Sequence, residues 1–136
     1  MQVYAIILRG EGKKRGIVMF EIDNSLAEKG CIKRYEKKHG EECASCLENL
    51  LEVKEYLNAG MSLPQVLRCC SYLRSEGEDI YRIGQTGVVG AKETRLYVYV
   101  RIVNGKIYKL TFGDKDSQQR DINRCKQIVR KFKKTI

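Results

Sequence analysis

Residues 94–112, TRLYVYVRIVNGKIYKLTF, alternate apolar and polar side chains on both sides of an Asn-Gly pair. This is the pattern of two antiparallel strands that each bury one face. On the first strand Leu96, Val98, Val100 and Ile102 share one face, and Arg95, Tyr97, Tyr99 and Arg101 the other. On the second, Tyr108, Leu110 and Phe112 lie opposite Ile107, Lys109 and Thr111. A two-residue Asn104-Gly105 loop sets Val100 against Lys109 and Tyr99 against Leu110, which mixes the faces. A three-residue Val103-Asn104-Gly105 loop sets Leu96 against Phe112, Val98 against Leu110 and Val100 against Tyr108. Tyr97 then lies beside Thr111 and Tyr99 beside Lys109, with Gly105 at the positive-φ position of a bulged turn. The three-residue register is preferred, because a slip of one residue turns the apolar set into water.

The expected product is a sheet with an aliphatic face turned inward and an open face carrying Arg95, Tyr97, Tyr99, Arg101 and Lys109. Phenol rings interleaved with guanidiniums suit single-stranded RNA, since rings stack on bases and guanidiniums neutralise phosphates. The competing reading covers both faces of the sheet, buries the tyrosines under a helix and leaves the arginines to reach outward.

Charge placement supports a phosphate partner. The chain of 136 residues carries a formal net charge of +9. Residues 95–136 hold 12 Lys and Arg against 3 Asp and Glu, while residues 1–94 are balanced at 14 of each. A one-sided excess is an electrostatic footprint for polyanions, and Arg120 and Arg124 of the last helix join the RNA-binding set on this ground. The bland alternative is a solvated basic helix. The length fits one domain, 1–136, with a true core. An apolar share of 43% excludes disordered and collagen-like chains. No apolar run reaches membrane-spanning length, and the opening MQVYAIILRG is too short and lacks the basic start of a secretory signal. A soluble cytoplasmic protein without membrane contact is expected.

Further elements follow from pattern. Residues 2–9 read as a strand, and EGKKRG as a turn. Residues 17–28 mix strand-like residues with the S-x-x-E spacing of Ser25 and Glu28, and the reading leans to helix. Tyr35, His39, Cys43, Cys46, Leu47, Leu50 and Leu57 recur at spacings of three and four, predicting a helix over 32–58 that Gly40 breaks or kinks. Asn58-Ala59-Gly60 stops it, and Ser62 with Pro64 starts a short helix over 63–73. Residues 79–85 read as a strand, and TGVVGAKE as a turn. A final helix over 117–133 carries the stripe Ile122, Cys125, Val129 and Phe132. The fold class is α+β: an N-terminal strand and helices packed on an antiparallel sheet, with a basic C-terminal helix.

Other chemistry is thin. Six cysteines without a signal segment read as reduced thiols. His39, Cys43 and Cys46 stand at i, i+4 and i+7, so a zinc site completed by Cys69 or Cys70 competes with simple core packing. Core packing is preferred, because the same positions continue the apolar stripe. GQTGVVG lacks the spacing of a phosphate loop and precedes no helix. His39 is the sole histidine, so no serine-type triad is available. No cofactor or metal is expected.

The ordered series of segments resembles the RelE/HigB-like toxins of bacterial toxin–antitoxin modules. Val18 to Leu26 is similar to the family's F-L-x-x-L helix, and Leu57-Asn58-Ala59-Gly60 through Leu67 to its L-x-x-G … L-x-x-P segment. Asp79 to Ile83 resembles its (L/I)-Y-E-(L/F)-R strand with the arginine one place earlier. Thr94 to Tyr99 resembles its Y-R-(V/L)-F-Y strand, and Leu110 to Gln118 its L-H-x-F-x-K-K-(S/T)-Q ending. The resemblance implies a ribosome-dependent mRNA endoribonuclease silenced by an antitoxin protein. Its metal-independent chemistry is attack of a ribose 2′-OH on the adjacent phosphate. By position it implies Arg82, Arg95 and Lys115 as the phosphate-binding catalytic set, with Tyr97 or Tyr99 as a stacking or proton-transfer residue. The chain departs from the pattern at Asp116, where a second lysine is usual. It departs again at Thr111 and Phe112, where a histidine is usual, and at Gln118-Gln119. These departures favour a second reading, a non-enzymatic RNA- or protein-binding module of the same fold, either a gyrase inhibitor or a degenerate toxin.

Overall fold

The computed structural model describes residues 19–88 and 92–136. The strand expected over 2–9 and the turn after it lie outside the described residues. The fold is α+β: strand β1 (Glu21–Asp23), helices α1 (Lys29–Lys38), α2 (Gly40–Asn58) and α3 (Leu63–Cys69), strands β2 (Leu73–Gly77), β3 (Ile80–Gly84), β4 (Thr94–Arg101) and β5 (Lys106–Asp114), and helix α4 (Gln118–Lys133). The strands form one sheet in the order β1-β5-β4-β3-β2. Strands β2 to β5 make an antiparallel meander, whereas β1 runs parallel to β5. The sheet is therefore mixed, not purely antiparallel.

The helix expected over 17–28 is a correction within its described part. Ile22 lies against Ile107 in the β1–β5 ladder. Asp23 Oδ1 accepts the Ser25 N–H at 2.7 Å and Ala27 N–H donates to Asn24 O, so the segment turns where a helix would begin. A short ambiguous run takes the conformation its neighbour can pair with.

The long helix divides at His39, whose N–H closes α1 on Tyr35 O before Gly40 opens α2. Helix α2 buries Cys43, Cys46, Leu50, Val53 and Leu57 on one stripe against the sheet. Its polar side chains Ser45 and Asn49 reach the exit of β3: Ser45 Oγ donates to Thr86 O at 2.9 Å, and Asn49 Nδ2 to Gly84 O at 2.8 Å. Helix α3 begins with a reciprocal cap between Ser62 and Gln65, as Ser62 predicts, but ends at Cys69, not at residue 73. Residues 73–77 instead form β2, which pairs with β3 through a Glu78-Asp79 turn. Both turn residues adopt positive φ, 55° and 63°. That is the pattern of a type I′ hairpin, where glycine is favoured at the second position. Asp79→Gly is expected to stabilise the protein by about 0.5–1 kcal/mol. Urea denaturation checks it, and a lower midpoint would show that the Asp79 side chain has a role of its own.

The β4–β5 register is split. Leu96↔Phe112 and Tyr97↔Thr111 pair as the three-residue loop predicts. A bulge then shifts the remainder by one: Val98↔Lys109, Tyr99↔Tyr108 and Val100↔Ile107. The loop spans Ile102–Gly105, and Gly105 takes the expected positive φ, 68°. Leu110 is the extra residue. It and Tyr108 join Tyr97 and Tyr99 on one face, while Ile107 and Phe112 join Leu96, Val98 and Val100 on the other. The bulge therefore lets both faces stay apolar in the near half of the hairpin, which no single register allows.

Candidate functional site

Both faces of the sheet are covered. Helices α1 to α3 pack on the face of Leu96, Val98 and Val100. Helix α4 packs on the face of Tyr97 and Tyr99 through Ile122, Cys125 and Val129. The open tyrosine face is accordingly a correction. Tyr97 is 0% exposed and Tyr99 2%. The Tyr99 ring is held between Tyr108, stacked at 5.5 Å, and Phe132, edge-on at 6.2 Å. Neither ring offers a face to a base. The expectation failed because the apolar stripe of α4 needs an apolar surface, and the phenol rings supply it.

Lys109 is a second correction. The bulge pairs it with Val98, on the face away from Tyr99. Arg101 stays on the tyrosine face but six residues from Arg95, about 20 Å along the strand. These two cations are not brought to the arginines below.

At the other end of the same face, arginines converge. Arg82 pairs with Tyr97 on one side and with Arg74 on the other. Arg95 lies against Gly84 and Gly113. Arg74, Arg82 and Arg95 line one polar cleft of about 390 Å³ with Ser71, Tyr72, Gln85, Thr86 and Glu93. Like charges directly opposite on neighbouring strands repel. The repulsion is partly met by Glu76, 3.1 Å from Arg82 Nε, and by Glu93, 3.4 Å from Arg95 Nη2. Arg82 also donates to Gln118 Oε1 at 3.0 Å, which ties the cleft to the first turn of α4. Arg95 is 8% exposed, and its Nη1 has no hydrogen-bond partner among the described residues. A buried guanidinium with a spare donor favours an incoming anion, because an unmade bond to a charged group is costly.

Arg74 was missed by sequence reasoning. Its signal is the alternation of Leu73, Arg74 and Ser75, but the helix expected over 63–73 takes in Leu73 and leaves residues 74–78 without an assigned element. Lys115 sits exposed on the turn after β5, two residues beyond the partner of Arg95, and lines neither this cleft nor the groove between α1 and α4. Arg120 and Arg124 line the second cleft, between α1 and α4, and Arg124 Nε is 2.8 Å from Glu28.

The Tyr97 hydroxyl is buried without a hydrogen-bond partner among the described residues. Burial raises its pKa well above the usual phenol value, Asp121 adds to the rise, and Arg95 and Arg82 offset part of it. With α4 in place no substrate reaches this hydroxyl, so Tyr97 leaves the catalytic set. Tyr97→Phe is expected to stabilise the fold by up to about 1 kcal/mol, because it removes an unsatisfied buried group. Thermal unfolding checks this, and a loss beyond 1 kcal/mol would mean the hydroxyl has a partner in solution.

The thiols of the candidate zinc set are core groups. Cys43 and Cys46 are 2% and 0% exposed, and burial pushes both up to about 12. Cys46 Sγ donates to Thr94 O. His39 lies 3.7 Å from Glu42 in the break between α1 and α2. Among the described residues no three His, Cys, Asp or Glu side chains gather in a metal-holding group, and no helix is long and apolar enough to cross a membrane.

Comparison with family models, with curated proteins and with solved structures finds no match to this chain.

Proposed function

We propose that this protein is a RelE/HigB-like toxin, a cytoplasmic ribosome-dependent mRNA endoribonuclease held in check by an antitoxin protein. The observation that carries the reading is the convergence of Arg82 and Arg95, two of the residues the resemblance marks, with Arg74 in one polar cleft. Three guanidiniums facing one space suit a phosphodiester under attack. They would stabilise charge that builds on the phosphoryl oxygens as the ribose 2′-O bonds to phosphorus and the 5′-O leaves. The products are then a 2′,3′-cyclic phosphate and a 5′-OH end. Glu93, which stands in the cleft beside Arg95, would take the 2′ proton, and water would supply one to the departing 5′-O. This chemistry needs no cofactor from the chain.

The test is incubation of the purified protein with translating ribosomes, followed by mapping of mRNA ends. New 5′-OH ends at codon positions support the proposal. Intact mRNA at stoichiometric protein overturns it. A second reading, the non-enzymatic binding module, is favoured by two placements: the Tyr97 hydroxyl is sealed, and Lys115 lies outside the cleft. Ribosome or RNA binding without cleavage selects it.

A further inference from the structure

A groove of about 640 Å³ runs between α1 and α4. Its floor is a strand edge. Among the described residues β5 is covered on this side by β1 over Lys106–Tyr108, and the Glu28 N–H donates to Leu110 O. Beyond that point four consecutive β5 residues, Thr111 to Asp114, line the groove, which a strand does along its edge and not along one face. Thr94 turns its N–H to Gln85, away from β5. By alternation the N–H and C=O of Phe112 therefore point outward toward the groove, the C=O also accepting a long bond from the Thr111 hydroxyl at 3.4 Å.

The walls are basic. Arg34 and Lys38 rise from α1 and Arg120 from α4, and none of the three is in an ion pair among the described residues. The acidic residues of the groove are engaged internally: Glu28 with Arg124, Asp114 with Lys92, and Asp121 with the Ser117 hydroxyl. The ring in the floor, Tyr35, lies between Phe112 at 5.9 Å and His39 at 4.7 Å, so it has no free face on which a base can stack. That disfavours RNA here.

We propose that this groove docks an extended acidic peptide segment of a partner protein, its backbone meeting Phe112, its carboxylates Arg34, Lys38 and Arg120, and an apolar side chain entering the Tyr35–Phe112 floor. This goes beyond the nuclease reading and does not depend on it.

The test is fluorescence anisotropy of a labelled alternating Glu–Val octapeptide added to the full chain. Binding is expected, with at least tenfold loss in Arg34→Glu/Lys38→Glu and no change in Arg82→Ala. The same peptide N-methylated at its central residues is expected to lose at least tenfold as well, a change that general charge attraction would not produce. Equal binding of the methylated peptide overturns strand-edge docking. So does an oligouridylate that binds wild type and loses affinity in the double variant as much as the peptide, which would make the groove an RNA tract. Binding that appears only after removal of residues 1–18 also overturns the proposal, because the chain's own start would then be the occupant.

Discussion

Arg82→Ala and Arg95→Ala are each expected to lower the rate of mRNA cleavage by about 10²–10³, the cost of removing one preorganised donor from a developing oxyanion. The two side chains sit on adjacent strands and converge on one cleft, so their losses should not add, and the double variant is expected to fall well short of the product. Arg95 is the more telling position. Its burial denies it the mobility of a surface cation, and its Nη1 has no partner among the described residues. Arg95→Lys keeps the charge but not the planar fork, and is expected to recover only part of the rate. Lys131→Ala, an exposed cation of α4, is the control for general loss of charge. End mapping by primer extension reads all five variants, with circular dichroism to confirm folding. Wild-type rates in both alanine variants would remove the cleft from the chemistry while leaving the peptide groove between α1 and α4 untouched.

Leu96→Ala is expected to destabilise the protein by about 2–5 kcal/mol, a large part of the stability of a domain this size. Leu96 is fully buried in the middle strand, paired with Ile83 on one side and Phe112 on the other, within the core formed by α2. Three rigid neighbours cannot collapse onto the space left behind, so the cost belongs toward the upper end of the range. Leu51→Ala, on the outer side of the same helix and 49% exposed, is expected to stay within about 0.5 kcal/mol. Guanidinium denaturation separates the two, and equal effects would mean that the α2 stripe is misplaced.

The close seat of α4 has a local cause. Gly113 faces the Asp121 carboxylate, and a Cβ at that position would collide with it. Burial raises the pKa of that carboxyl, while the Ser117 hydroxyl and Arg120 partly restore it. A raised acid favours the folded state below its folded pKa and weighs against folding once ionised above it.

What was legible in the chain was local. The alternation in 94–112, the positive φ of Gly105, the break at Gly40, the Ser62 cap and the stripe of α4 each depend on residues within a turn or two of one another. Side-chain period and backbone sterics operate at that range. The class of the fold followed from those elements. What only tertiary structure decided was pairing across distance. β1 joined β5 in parallel, β2 displaced the end of a helix, and the bulge at Leu110 returned both halves of the hairpin to apolar surroundings. Helix α4 closed over the tyrosines. That last step moved the candidate site from an open aromatic face to the arginine cleft at its end, because an amphipathic helix and an apolar sheet face both lose free energy in water until they meet.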